Sequence, residues 1–169
     1  MKTLKMKLLL GSFIVSGAMT CFAQEKLPEI TLTAVRYKYL SAVDNKQMAE
    51  PVKFLERKVA EYDVKNSEYY DEDYKDYTIS FYIPDGFILA SYDKNGKLLS
   101  TAEKFKNIAV PSAVGEAVAN KFPEWSISGD VYRVNYENDK GAKKVWKLLL
   151  KNGDRRMKVI TNEKGEFIR

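Results

Sequence analysis

The sequence predicts an α+β fold: two tandem helix-plus-antiparallel-strand units forming one curved antiparallel sheet, with two helices packed on one face. Three observations predict it. A helical stretch opened by proline occurs twice, at Pro51 and Pro111. Hairpin-linked apolar alternations follow each helix, and each unit carries a glycine-closed turn, at Gly96 and Gly165. In both units an aromatic residue, Tyr62 or Phe122, stands eleven positions after the proline.

The chain opens with the pattern of an export signal over residues 1–23. Lys2, Lys5 and Lys7 form a basic start, Leu8 to Met19 an apolar run, and Cys21-Phe22-Ala23 a small-x-small cleavage site before Gln24. That run is shorter than the ~18 apolar residues a membrane span needs, so no membrane span is expected. A lipid-modified Cys21 is the alternative, but Ala18-Met19-Thr20 suits it poorly. Periplasmic or secreted localisation is therefore expected. The three lysines leave with the signal, so 25 basic residues face 23 acidic ones, a net +2. That charge gives no argument for nucleic acid.

Residues 24–28 read as a flexible lead-in, and 29–101 and 102–169 as the two units. Alternation of Val35, Tyr37 and Tyr39 with Arg36 and Lys38 predicts a strand over 30–39. Pro51 fits the first turn of a helix, where a missing N–H costs nothing, and Val52, Leu55, Val59 and Tyr62 form its apolar stripe. Val114, Ala117, Val118 and Phe122 form the second stripe, which Pro123 ends. Strands are predicted over 62–70, 75–83, 87–92 and 97–101, then over 126–137, 143–150, 155–161 and 166–169. Pro84-Asp85-Gly86 and Asn152-Gly153 are hairpin signals.

These turns assign faces. A three-residue turn pairs Ile83 with Phe87, Phe81 with Leu89 and Ile79 with Ser91 on the core side. Tyr82, Ile88, Ala90 and Tyr92 are then left on the open side. In the second unit Leu150 is expected opposite Arg155, Leu148 opposite Met157 and Trp146 opposite Val159, all in the core. Val145, Lys147, Leu149, Arg156, Lys158 and Ile160 then face outward, with Arg133 beside them. Trp125 and Trp146 read as core or edge packing.

The chain resembles the PepSY-like, beta-lactamase-inhibitor-like domains of exported bacterial proteins. The residues that carry this are Tyr92-Asp93-Lys94-Asn95-Gly96-Lys97-Leu98-Leu99, Pro111 with Val114, Lys121-Phe122-Pro123 and Asn162-Glu163-Lys164-Gly165-Glu166-Phe167-Ile168. It covers residues 91 to the end, and is only architectural before them. The resemblance implies a curved sheet with helices on one face and a concave face that clamps a protein target. No target-contacting residue carries over.

Absence of histidine, and of any cysteine beyond position 21, excludes imidazole or thiolate metal sites and His-dependent nucleophile systems. No cofactor is expected, nor enzymatic activity; Glu68 and Asp71 are the nearest to an acid–base pair, with nothing to set them opposite each other. The expected function is binding or inhibition of a protein partner in the cell envelope. Tyr82, Tyr92, Arg133, Lys147, Leu149, Arg156 and Lys158 are its candidate contacts. The alternative is an envelope structural or stress protein that holds calcium or small polar ligands on acidic turns. Asp71, Asp73 and Asp76 offer hard oxygen ligands for it, but lack the central glycine and distal glutamate of a calcium loop.

Overall fold

A computed structural model describes residues 34–168. The predicted export signal, the lead-in and the start of the predicted 30–39 strand lie outside them. The fold is the α+β arrangement expected, an open seven-stranded antiparallel sheet with helices on one face. In chain order the elements are α1 (Ala34–Val43), α2 (Glu50–Glu61), β1 (Asp76–Ile83), β2 (Gly86–Asp93), β3 (Leu98–Lys106), α3 (Ser112–Lys121), β4 (Ser126–Glu137), β5 (Gly141–Asn152), β6 (Arg155–Asn162) and β7 (Phe167–Ile168). Every strand pairs with its neighbour in sequence, so the sheet is a meander. The expected unit boundary after residue 101 falls inside β3, and one sheet runs through both units.

The described part of the predicted 30–39 strand is instead helix α1. Tyr39 and Val43 lie four positions apart and are fully buried, whereas Tyr37 is exposed. Tertiary contacts override the alternation. Tyr39 packs edge-on against Tyr136 at 5.1 Å and donates a hydrogen bond to Glu103 Oε1 at 2.9 Å. Helix α1 covers β3, β4 and β5, and α2 lies over β1 and β2.

Residues 62–70 are turns, not the predicted strand. Asp63 Oδ1 accepts from the N–H groups of Lys65 and Asn66, and Ser67 Oγ donates to the Val64 carbonyl. These local side-chain bonds offer the backbone an alternative to a ladder. The Asn66 side-chain hydrogen bond also holds the Asp63 carboxyl below its usual range.

Helix α3 starts at its Pro111 cap and buries Val114 and Val118. It packs on the β6–β7 end of the sheet, where Phe122 meets Phe167 edge-on at 5.7 Å. Gly165 makes that contact possible: its φ is +82°, and an added Cβ would lie 2.5 Å from the Ala113 carbonyl oxygen.

The β1–β2 hairpin differs from expectation by one residue. Ile83 pairs with Gly86, leaving the two-residue loop Pro84-Asp85. Gly86 is required for space, because a Cβ there would sit 2.2 Å from Phe105 Cδ1. The one-residue slip turns β2 over. Ile88, Ala90 and Tyr92 are core, and Phe87, Leu89 and Ser91 face outward. On β5–β6 the observed pairs are Leu150–Met157, Leu148–Val159 and Trp146–Thr161, two residues from expectation, which keeps every face as predicted.

Candidate functional site

The open face is read row by row from the strand register. One row crosses Tyr82, Phe87, Lys104, Arg133 and Val145; the next crosses Lys106, Val131, Lys147 and Ile160. Leu149 and Lys158 pair in the third, and Lys151 and Arg156 in the fourth. From β3 to β6 this face therefore carries eight cations: Lys104, Lys106, Arg133, Lys143, Lys147, Lys151, Arg156 and Lys158. Its single carboxylate there, Glu137, is already paired with Lys140. Clustered like charges over a low-dielectric sheet raise the local potential and draw anions toward it.

At the centre lies a hollow of about 490 Å³. Val131, Leu149 and Ile160 form its apolar floor and Lys106, Lys147 and Lys158 its cationic rim; Asp130, whose carboxylate accepts from the Ile108 N–H, also lines it. A break in the β4–β5 register between Ile127 and Gly129 adjoins it, and Gly129, opposite Leu149, adds no side chain. The sequence therefore builds the hollow locally, from a bulge and a glycine.

Of the residues expected here, Arg133, Lys147, Leu149, Arg156 and Lys158 share one face. Tyr82 is 68% exposed and joins them at the far end of the Arg133 row. Tyr92 does not belong. It is 1% exposed under α2, and its hydroxyl donates to the Val59 carbonyl at 2.8 Å. The hairpin slip put it on the wrong face. Lys104 and Lys106 were missed because the predicted strand stopped at 101.

A second cluster, which the sequence reading missed, lies beneath the helices. Glu56 on α2 and Glu103 on β3 are 4% and 3% exposed. Tyr39 and Thr101 hydroxyls donate to Glu103 Oε1, the latter at 2.7 Å. Burial, then the neighbouring Glu103, pushes the Glu56 carboxyl up to about 9. Burial pushes Glu103 up to about 7, against the pull of its two hydrogen bonds and of Lys144. Lys144 forms a 3.0 Å ion pair with Glu163 and donates to the Asp44 carbonyl at 3.3 Å. Among the described residues, five buried polar atoms have no partner in the protein: Glu56 Oε1, Glu103 Oε2, and the Tyr132, Trp146 and Thr161 polar groups. Glu56 was legible, since it lies four positions after Val52 and three before Val59 on the apolar stripe.

Asp71 in the acidic turn accepts from the Asp73 N–H at 2.9 Å, a capping bond within the turn. Among the described residues no three His, Cys, Asp or Glu side chains converge as metal ligands. No described helix is long and apolar enough to cross a membrane. The molecule is thus an α+β sheet protein with one helix-covered face and one strongly basic face. No family model, no curated protein and no solved structure matches the chain.

Proposed function

We propose that this chain is an exported, non-enzymatic binding module that engages an acidic protein partner in the cell envelope through its open sheet face. The observation that carries this reading is the set of three lysines, Lys106, Lys147 and Lys158, at the apolar floor of Val131, Leu149 and Ile160 on a face that is otherwise strongly basic. An apolar centre desolvated on contact supplies affinity, and a charged rim supplies steering and register. The buried acids fit no catalytic role in this reading, because Glu103 spends its hydrogen bonds on Tyr39 and Thr101 inside the core.

The test is a paired capture from envelope extract with the wild-type chain and a Lys147→Glu/Lys158→Glu variant. An acidic protein is expected on the wild type, released by raised salt, and at least tenfold weaker on the variant, chiefly through a slower on-rate. Both replaced side chains are exposed, so stability is expected to change by only about 0.5 kcal/mol. Equal capture by both chains, or no specific partner at all, would sink the reading.

A further inference from the structure

Strand β1 is the first of the sheet, and its outer side meets no other strand among the described residues. Its backbone parity is set by the hairpin. The Lys94 N–H donates to the Lys75 carbonyl at 2.9 Å, so odd-numbered residues turn their polar groups toward β2. Thr78, Ser80 and Tyr82 therefore direct N–H and C=O groups outward. Edge strands in natural proteins usually carry a charge, a proline or a bulge that blocks further pairing. Residues 77–83 have no charge and no proline, and their register with β2 is unbroken.

Beside this edge a groove of about 650 Å³ runs between β1 and α2. Phe54, Tyr62, Phe81 and Tyr82 form its walls, with Lys58 and Glu61 along α2. Phe54 is 48% exposed, a large apolar side chain on the outer flank of its helix.

We infer that a second copy of this chain occupies the edge, joined by antiparallel β1–β1 pairing about a two-fold axis through Ser80. That register pairs the uncharged run 77–83 entirely with itself. It sets Ile79 of one copy opposite Phe81 of the other, and Thr78 opposite Tyr82. All these pairs join residues of the same face, so both helix layers lie on one side of a continuous sheet.

The helix layer supports this occupant. Helix α2 contacts both β1 and β2. Pairing through β1 sets the two edge strands ~4.8 Å apart and brings the two α2 helices side by side on one face of the sheet. Phe54 then fills the trough between them. Lys58 and Glu61 supply both signs, as an interface that meets itself requires. The basic open face, nearly all of one sign, would repel its own copy. Pairing through β1 leaves that face free and presents two of them side by side, so a partner with repeated acidic sites gains avidity.

The experiment uses the chain from Gln24, which spans every described element and contains no cysteine. Light scattering on the eluting protein is expected to give twice the chain mass. Phe54→Glu and Ser80→Lys are each expected to halve it while leaving the far-ultraviolet circular dichroism unchanged. Ser80→Cys is expected to form a disulfide-linked dimer on mild oxidation, since opposed Cα atoms ~5.5 Å apart lie within bridging range. Asn120→Cys, on exposed α3, serves as the control and is expected to stay unlinked. A wild type that is monomeric at every concentration overturns the inference. So does a dimer that survives Phe54→Glu, or a Ser80→Cys chain that links no better than Asn120→Cys. If Ser80→Lys fails to fold, Phe54→Glu and the cysteine pair decide the matter.

Discussion

Replacing Glu56 with glutamine is expected to raise the melting temperature at pH 9 by roughly 10 °C and to leave it nearly unchanged at pH 4. The sign follows from the direction of the shift. Burial raises the folded-state value of Glu56 to about 9 and that of Glu103 to about 7. An unfolded carboxyl ionises near 4.5, the ordinary value for glutamate. Below that pH both states are protonated and the stability contribution is fully present. As pH rises, the unfolded chain ionises first, and stability falls until the folded groups also ionise. The window therefore runs from about pH 4.5 to 7 for Glu103, and to 9 for Glu56. The loss is on the order of 3 kcal/mol for Glu103 and about 6 kcal/mol for Glu56 taken alone, and the pair loses less than the sum because each charge discourages the other.

Glu56→Gln removes one ionisation, and Glu103→Gln removes the other while its Oε1 still accepts from Tyr39 and Thr101. Thermal melts from pH 4 to 9 of the wild type and both variants provide the check. Parallel curves for all three would show that the buried carboxyls do not set the pH dependence.

The second large effect is expected at Gly165. Alanine there meets two penalties at once: a left-handed backbone, about 1–2 kcal/mol, and overpacking against α3, about 1–3 kcal/mol. Its Cβ would lie 2.5 Å from a backbone oxygen and 2.8 Å from Ala117 Cβ, so relief requires α3 to move. A total loss of about 3–4 kcal/mol is expected in urea melts. Gly96→Ala separates the two penalties, because Gly96 also has positive φ (76°) but nothing within 4 Å of an added Cβ. It is expected to lose only the backbone part. Equal losses at the two sites would show that α3 is not seated on this glycine.

The two hairpins explain why one half of the candidate site was legible and the other was not. Pro84-Asp85-Gly86 reads as a turn that uses its glycine for a left-handed residue. In the structure that glycine instead gives room to Phe105, which comes from a strand the local sequence does not show. The resulting slip of one residue moved Tyr92 from open face to core. At Asn152-Gly153 the slip was two residues, and strand alternation returned Lys147, Leu149, Arg156 and Lys158 to the expected side. Helix α1 was illegible for a different reason: its stabilising contacts, Tyr136 and Glu103, lie far along the chain. The approach of the two interior acids shares that origin. Only the docking of the helices on the sheet brings Glu56 near Glu103.

The meander has a kinetic consequence. Each of its six pairings joins consecutive strands, five of them through turns of two to four residues and β3 to β4 through the segment that holds α3, so most of the sheet closes with little chain entropy lost at each step. Such local topology places folding toward the fast end for a β-rich chain. Helix α1 is the exception, since its Tyr39 bond spans 64 residues and the Lys144 bond to Asp44 spans 100. It is expected to dock after the rate-limiting step. Tyr39→Phe should then speed unfolding with little change in refolding, whereas Leu148→Ala within β5 should slow refolding, as stopped-flow chevrons would show. The acids are sealed from water only in that late step, so the barrier to folding is crossed while they can still ionise freely.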